Sequence, residues 1–599
     1  MTTSYAERVA QLREMMAGNG WDAVVIGGSD PHSSEYPAPR WRQVEWLIGF
    51  TAETGDVVVT ADHVGLWTDS RYFIQAEAQL KSTGGVLHKT RVPGAVSIPE
   101  WLSGKAKVVA VDGLCQNVAA VDELQAALGS AGEVVCVPDM LEQLWEDRPA
   151  YPVTPIITLD VQKYGGMSRS EKLLWLRNWM SERGYDNLLL SSLDEIAWLL
   201  NVRGADIDYN PLVISYLLVS KDSARWFVKK SGAEYCGESM ASFKDLEADG
   251  VNVCAYDAVL DELAADGGKA IFVDSSTLNA QVYESVRNAF KGGEIVCGVS
   301  PVILQKAIKC SSEIAHLRQT FINDGVAMEK FLYWLEYEVA SGKEVTEWEA
   351  SEMLTSFRAE LPGYRGNSFE NISAYGPSAA LPHYCMTEQN SAVIKPHGLY
   401  LVDSGGQYFT GTTDITRTVP MGECSMLEKE DYTLVLKGMI DLSMAVFPRG
   451  TAGCQIDALA RMPLWKARRN FGHGTGHGVG YYLCVHEGPQ SIRYQYNPQP
   501  LVPGMLTSNE PAIYREGMHG IRHENLVLCR EAGSSEFGDW LDFETMTLCH
   551  IDTSAVLGDL LDAEEKAWLN GYNERVYREL SPLLPEATAS WLREKTRAI

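Results

Sequence analysis

The stretches AERVAQLREMMAGNGWDAVVIGG (residues 6–28) and SEKLLWLRNWMSERGYDNLLLSS (residues 170–192) are two copies of one pattern. Each spaces apolar residues as on an amphipathic helix, breaks at a glycine, places an aromatic–Asp pair, and runs into an apolar strand. Trp21-Asp22 aligns with Tyr185-Asp186, and Leu12-Arg13 with Leu176-Arg177. Further on, VEWLIGF around Trp46 is echoed by IAWLLNV around Trp198. A helix–strand unit used twice implies two related α/β domains, with the Pro-rich segment 148–155 as the link between them.

A second boundary falls near Pro301. Beyond it, KCSSEIAHLRQTFINDGVAMEKFLYWLE sets apolar residues at 314, 317, 321, 328, 332 and 335, one face of a long helix. The expected organisation is therefore 1–158, 159–302 and 303–599, an α/β (α+β) chain of two related domains and a larger third. A length of 599 residues exceeds one core and suits two or three large domains. With 45% hydrophobic and 22% charged residues the composition is that of ordinary globular material, and no uninterrupted apolar run is long enough for a membrane span. The start, MTTSYAERVAQLREMM, lacks the basic cap and apolar core of a secretory signal. Twelve scattered cysteines without a C-x-x-C pair point to reduced thiols and a cytoplasmic location. The net charge of -28 argues against nucleic acid as a partner.

The densest His, Asp and Glu clusters lie in the last domain. Residues 399–419, LYLVDSGGQYFTGTTDITRTV, read as a hairpin in which Asp403 and Asp414 face each other across two strands. SNEPAIYREGMHGIRHENLVL reads as a second hairpin-like pair carrying Glu510 and Glu524. There Arg522 and Glu524 point one way and His523 the other. FGHGTGHGVG (471–480) places His473 and His477 four apart, but its five glycines would each cost a helix about 1 kcal/mol relative to alanine. The glycines instead imply a backbone that passes close to another or takes positive φ. Four carboxylates at the ends of apolar strands need compensating positive charge. With a histidine they suit two divalent cations, and carboxylate-rich, thiol-free ligation leans to Mn²⁺, with Co²⁺ or Zn²⁺ as alternatives.

In the contexts LVDSGGQY, TTDITRT, HGTGHGVG, NEP and GIRHEN, the residues Asp403, Asp414, His477, Glu510 and Glu524 resemble the ligand set of the dinuclear metallopeptidases with the pita-bread fold. Within that group the chain is similar to the three-domain cytosolic aminopeptidase P family, the X-prolyl aminopeptidases. HSSEYPAPR at His32, LWTDSRYFIQA at Leu66, LDEIAWLLNVRG at Leu193 and VHEGP at Val485 carry the resemblance over essentially the whole chain. It implies two creatinase N-terminal-like domains before a pita-bread catalytic domain, and release of the N-terminal residue from peptides with proline in second position. His477 is then a metal ligand and His473 a pocket residue. His486 and His383 hydrogen-bond substrate and developing oxyanion, Glu510 is ligand and proton shuttle, and Arg71 and Arg522 contact substrate. A homodimer is implied as well.

The sequence departs from relatives at Ser70 (usually Gly), Asn509 and Ala512 (often Asp and Gly) and His523 (often Ile), none of them a ligand. His32 and His523 are read as packing residues, and Arg71 has a domain-interface ion pair as its alternative role. His519 and Tyr514 belong either to the cleft or to a surface loop. The first two domains lack a comparable acid–histidine cluster and read as scaffolds. An X-Pro dipeptidase (prolidase) is the rival enzyme, disfavoured by the duplicated first half, and a non-catalytic pita-bread binding protein is disfavoured by the full ligand set.

Overall fold

The structure, a computed structural model, describes residues 4–229, 237–266 and 269–599. The chain folds into two compact units, Met1–Leu159 with Met167–Ile303, and Asp160–Gly166 with Leu304–Ile599. The seven residues that leave the first unit do so because they bond the second. Gly166 N–H donates to Ser312 Oγ at 3.2 Å, and the Tyr164 carbonyl accepts from Tyr481 OH at 2.6 Å.

The repeat is a repeat of structure. Helices Tyr5–Asn19 and Arg169–Arg183 both start at a serine in a capping box, Ser4 with Glu7 and Ser168 with Glu171. Both end at a left-handed glycine, Gly20 (φ 70°) and Gly184 (φ 75°), where a side chain would be strained. Asp22 then accepts the N–H groups of Lys107 and Val108, and Asp186 those of Lys269 and Ala270. Each aromatic–Asp pair thus pins the start of a neighbouring parallel strand.

Numbered within its own domain, each six-stranded sheet runs 4-3-2-1-5-6. The strands are Ala23–Ile26, Asp56–Thr60, Val64–Thr68, Val86–Lys89, Val108–Asp112 and Glu133–Val137 in the first domain. In the second they are Asn187–Leu190, Ser215–Ser220, Ala224–Val228, Val251–Ala255, Ala270–Val273 and Glu294–Cys297. The two domains meet in a self-complementary way. Val118 N–H donates to Leu278 O (3.0 Å) while Ala280 N–H donates to Gln116 O (2.9 Å); Ala119 donates to Ser275 O while Gln281 donates to Gly113 O. Each bond is the other's equivalent in the repeat, which is the contact pattern of a two-fold axis.

The second unit opens with the long helix Ser311–Ala340, which buries Leu317, Phe321, Met328, Leu332 and Leu335 as the periodicity predicts. A three-stranded sheet pairs Leu399–Ser404 antiparallel with both Ile372–Tyr375 and Ile415–Pro420. Within it Asp403 pairs with Thr416 rather than with Asp414, so the expected direct facing of the two aspartates is corrected. Asp414 sits just before its strand, two residues from Thr416 and on the same face. The second expected hairpin divides into two ladders. Leu506–Asn509 pairs with Asn525–Ser535 in a six-stranded sheet, whereas Ala512–Arg515 pairs with His519–Arg522 by itself. Helix Met426–Ser443 covers this region, packing Tyr432, Val435, Leu436 and Met439 in one cluster with Ala512, Ile513 and Ile521.

Candidate metal centre

The strand Gly476–Gly478 lies between Leu506–Asn509 and Glu487–Ile492, and its crowding explains the glycines. A Cβ at Gly476 would stand 1.9 Å from the Ser508 carbonyl, and one at Gly478 2.4 Å from that of Glu487. Neither glycine has positive φ, so close approach is the reason for them. His477 projects from this strand with Nδ1 3.0 Å from Gly478 O, which makes Nδ1 the N–H and leaves Nε2 as a free lone pair. That Nε2 is 3.3 Å from Glu510 Oε1 and 3.5 Å from Asp414 Oδ2.

Asp414, Glu510 and Glu524 sit where ladders break, outside the regular pairing on either side. Their backbones are held by other strands: Glu510 N–H donates to Thr475 O (2.7 Å) and Glu524 N–H to Thr416 O (3.1 Å). The result is one cluster. Donor atoms of Asp403, Asp414 and Glu524 lie within 4.8 Å of one another, as do those of His477, Glu510 and Glu524, and those of Asp414, His477 and His486. Asp414, His477 and Glu524 are common to two groups each.

Around the cluster runs a directed hydrogen-bond chain. Arg522 Nη2 donates to Asp403 Oδ2, Nε donates to Thr416 Oγ1 (3.1 Å), and Nη1 donates to Tyr514 OH (2.6 Å). Tyr514 OH in turn donates to His473 Nε2 (2.8 Å), whose Nδ1–H is 2.7 Å from Gly474 O. Thr416 Oγ1 donates onward to Glu524 Oε2 (2.8 Å). Arg522, which the resemblance gives to substrate, orients Asp403 and Thr416. His473 is one step further out, behind Tyr514.

His486 is half-buried with its ring 4.4 Å from that of His477 and nearly perpendicular to it. His383 is also half-buried and near enough to His473 to affect its protonation. Arg71, in the first unit, makes a bidentate ion pair with Asp69 (2.9 and 2.8 Å) inside its own domain. His519 is neither in the cleft nor on a surface loop: it is buried against Asp431, 2.8 Å away. His523 turns away from Glu524 and packs edge-on to Tyr432, ring centroids 4.4 Å apart. His32 is buried between Ser191 O (2.9 Å) and Tyr256 OH (2.8 Å), a packing residue. Asn509, where relatives often carry Asp, donates to Met439 O and Ser443 Oγ beneath the site.

Two residues that sequence reasoning passed over matter here. Arg461, buried and paired with Asp457, donates to the carbonyls of Phe471 and His473 and so fixes the histidine loop. Its i,i+4 spacing from Asp457 reads as an ordinary exposed helix pair. Thr416 carries no signal beyond its strand.

The electrostatics define what the site lacks. Burial, reinforced by Asp403 and Glu510, pushes the Asp414 carboxyl well above its usual range, and burial with Asp414 does the same to Glu524. Glu510 is pushed up to about 7 by burial. Burial, then the neighbouring His486, brings His477 down to about 3 and keeps it neutral. Asp403 Oδ1 and Glu524 Oε1 are buried with no hydrogen-bond donor among the described residues. Four mutually repelling carboxylates, a neutral imidazole lone pair and two orphaned oxygens fit two divalent cations, whose four positive charges would balance the four acids.

The separation of the two histidines gives a direct expectation. His477→Ala should lower metal content, while His473→Ala should retain metal and lose turnover by about 10- to 100-fold, as for residues supporting a metal shell from behind. Metal analysis and kinetics on both variants check this; the reverse pattern would exchange their roles.

Comparison with known proteins agrees with the geometry. Residues 315–531 match metallopeptidase family M24 and 539–599 the C-terminal region of peptidase_M24, while 8–144 and 147–313 each match the creatinase/prolidase N-terminal domain. Aminopeptidase P2 of Arabidopsis thaliana is 37% identical over 99% of this chain and 88% of its own. A probable Xaa-Pro aminopeptidase P of Laccaria bicolor is 36% identical over 99% of this chain and 94% of its own. The crystal structure of an X-prolyl aminopeptidase from Caenorhabditis elegans, described as a cytosolic enzyme with a di-nuclear active site, covers 100% of both chains at 33% identity with a TM-score of 0.94. The two creatinase-type domains, the pita-bread domain behind them and full-length identity to these relatives together place the chain in the aminopeptidase P family of M24 metallopeptidases.

Proposed function

We propose that the chain is a dinuclear metal-dependent aminopeptidase that hydrolyses the X-Pro bond and releases the N-terminal residue from peptides with proline in second position. The observation that carries this is the single cluster of Asp403, Asp414, His477, Glu510 and Glu524, charge-matched to two divalent cations. All five side chains would hold the ions, Asp414 lying in one donor group with Asp403 and Glu524 and in another with His477. Mn²⁺ suits four carboxylates and one imidazole without thiolate, and Co²⁺ or Zn²⁺ are the alternatives. Bound there, the metals would supply an acidified water and polarisation of the scissile carbonyl.

The chain's own groups supply the rest. His486, beside the His477 imidazole, donates a hydrogen bond to the carbonyl oxygen as charge develops on it. Glu510 Oε1, 3.2 Å from the Ser508 hydroxyl, carries a proton to the proline nitrogen as the bond breaks. That nitrogen is a tertiary amide without N–H, so a pocket for the pyrrolidine ring selects it. The resemblance gives His383 and His473 to this pocket. Arg522 holds Asp403 in place. A cytoplasmic homodimer fits the resemblance. Among the described residues no helix is long and apolar enough to cross a membrane.

Substrate length separates this reading from a dipeptidase. The resemblance gives Arg71, ion-paired with Asp69 within the first unit, to the substrate, and an aminopeptidase must accept chain beyond the proline. An X-Pro-Pro-Y peptide should therefore be cleaved after X with higher kcat/KM than the X-Pro dipeptide, and Arg71→Ala should shrink the difference. Hydrolysis of the dipeptide alone would replace this reading by prolidase. No hydrolysis with both metals bound would leave a binding protein.

A further inference from the structure

Behind the histidine-bearing strand lies a buried cationic brace that the chemistry above does not use. Helix Pro301–Ala307 carries Lys306 in its last turn, whose Nζ is 2.5 Å from Glu487 Oε2, the two side chains being 1% and 2% exposed. Three residues on, the buried Lys309 sends its Nζ to the carbonyl of Val479 at 2.6 Å and that of Ala307 at 3.3 Å. Its own backbone is tied to Gly504, so the lysine is fixed at both ends.

What the brace grips is the segment that carries both histidines. Glu487 follows His486 directly and pairs in register with Gly478, the neighbour of His477, where the ladder shifts. The Val485 carbonyl also reaches the His477 ring. Gly480 leaves the room this needs: a Cβ there would stand 2.5 Å from Glu487 Oε1. A carboxylate and two ammonium groups in a dry interior are costly to keep, and replacing a buried ion pair with apolar side chains of similar size is often neutral for stability. Such a pair is therefore a candidate for a role in placing something.

We propose that Lys306, acting through Glu487, is a positioning residue that sets the His486 imidazole against the His477 side of the metal cluster. The link is covalent and short: the ion pair fixes the residue adjacent to His486, and Lys309 fixes the strand His486 must face. Loss of the pair would leave the site assembled but let the oxyanion-side histidine wander. A group placed this way affects turnover and not ground-state binding.

The inference rests on the aminopeptidase reading, and X-Pro-Pro-Y cleavage by the unaltered enzyme tests that reading separately. For the brace, the double variant Lys306→Met/Glu487→Leu avoids stranding a buried charge. It is compared with the parent in both a wild-type and a His486→Ala background, with metal content and thermal unfolding measured on each. The expected result is a fall in kcat of about tenfold or more with KM and two metals per chain unchanged, and no further fall once His486 is already alanine. Undiminished kcat would overturn the proposal, as would an equal fold-loss in the His486→Ala background. Loss of metal would also overturn it, because the brace would then be acting on His477. Should the double variant fail to fold, Lys306→Arg serves instead, judged by the same coupling to His486.

Discussion

Asp414→Ala is expected to abolish turnover, by about a thousandfold or more, and to empty the metal centre as a whole rather than by half. The magnitude follows from what two cations contribute: several kcal/mol of transition-state stabilisation, at 1.36 kcal/mol per tenfold in rate. The all-or-none loss follows from geometry. Asp414 belongs to the donor group with Asp403 and Glu524 and to the group with His477 and His486, so its removal withdraws an oxygen from both positions. The same position separates a chemical loss from misfolding. Asp414 is 3% exposed and repelled by Asp403 and Glu510, so the metal-free variant should unfold no more easily than the metal-free parent. Elemental analysis of wild type and variant, with thermal scans of both after chelation, makes the comparison. Unchanged metal content in Asp414→Ala would remove Asp414 from the shared position.

That prediction uses a register the sequence had nearly right. The first two domains were legible because everything that defines them is local. A capping serine, a Glu three residues on, a left-handed glycine and an Asp that catches the next strand recur at equivalent positions, and each acts within its own neighbourhood. The five residues that cluster were named as a set through family resemblance. Their arrangement was not, because it depends on ladders between distant segments. Asp403 and Asp414 were expected opposite each other, yet Asp403 pairs with Thr416, and the Glu510–Glu524 hairpin breaks in two around those residues.

The glycines of 471–480 show the same limit. Close approach and positive φ were both open, and the atoms that decide between them belong to Ser508 and Glu487. Nothing in a ten-residue window names such partners. Arg522, Lys306 and Arg461 illustrate a third limit. A basic residue in sequence is a surface charge by default, and only the fold reveals that these three are buried and directed at Asp403, Glu487 and the His473 loop. For Arg522 the fold adds support of the Asp403 carboxylate.

His486→Ala should lower kcat by about 100- to 1,000-fold, the usual cost of removing one donor aimed at a developing oxyanion, while both metals stay bound. The position of His486 admits two roles, because its ring nitrogen lies within 4.8 Å of donor atoms of Asp414 and His477 and could itself reach a cation. Two features favour the donor role. The four carboxylates already balance two divalent ions without it. His477 has its tautomer set for ligation by the Gly478 carbonyl. A donor can be replaced by another donor, so His486→Gln should recover part of the lost kcat at unchanged metal content. If His486→Ala instead lost one metal per chain, the residue would be a sixth ligand, and the oxyanion would have to be stabilised from elsewhere in the cleft.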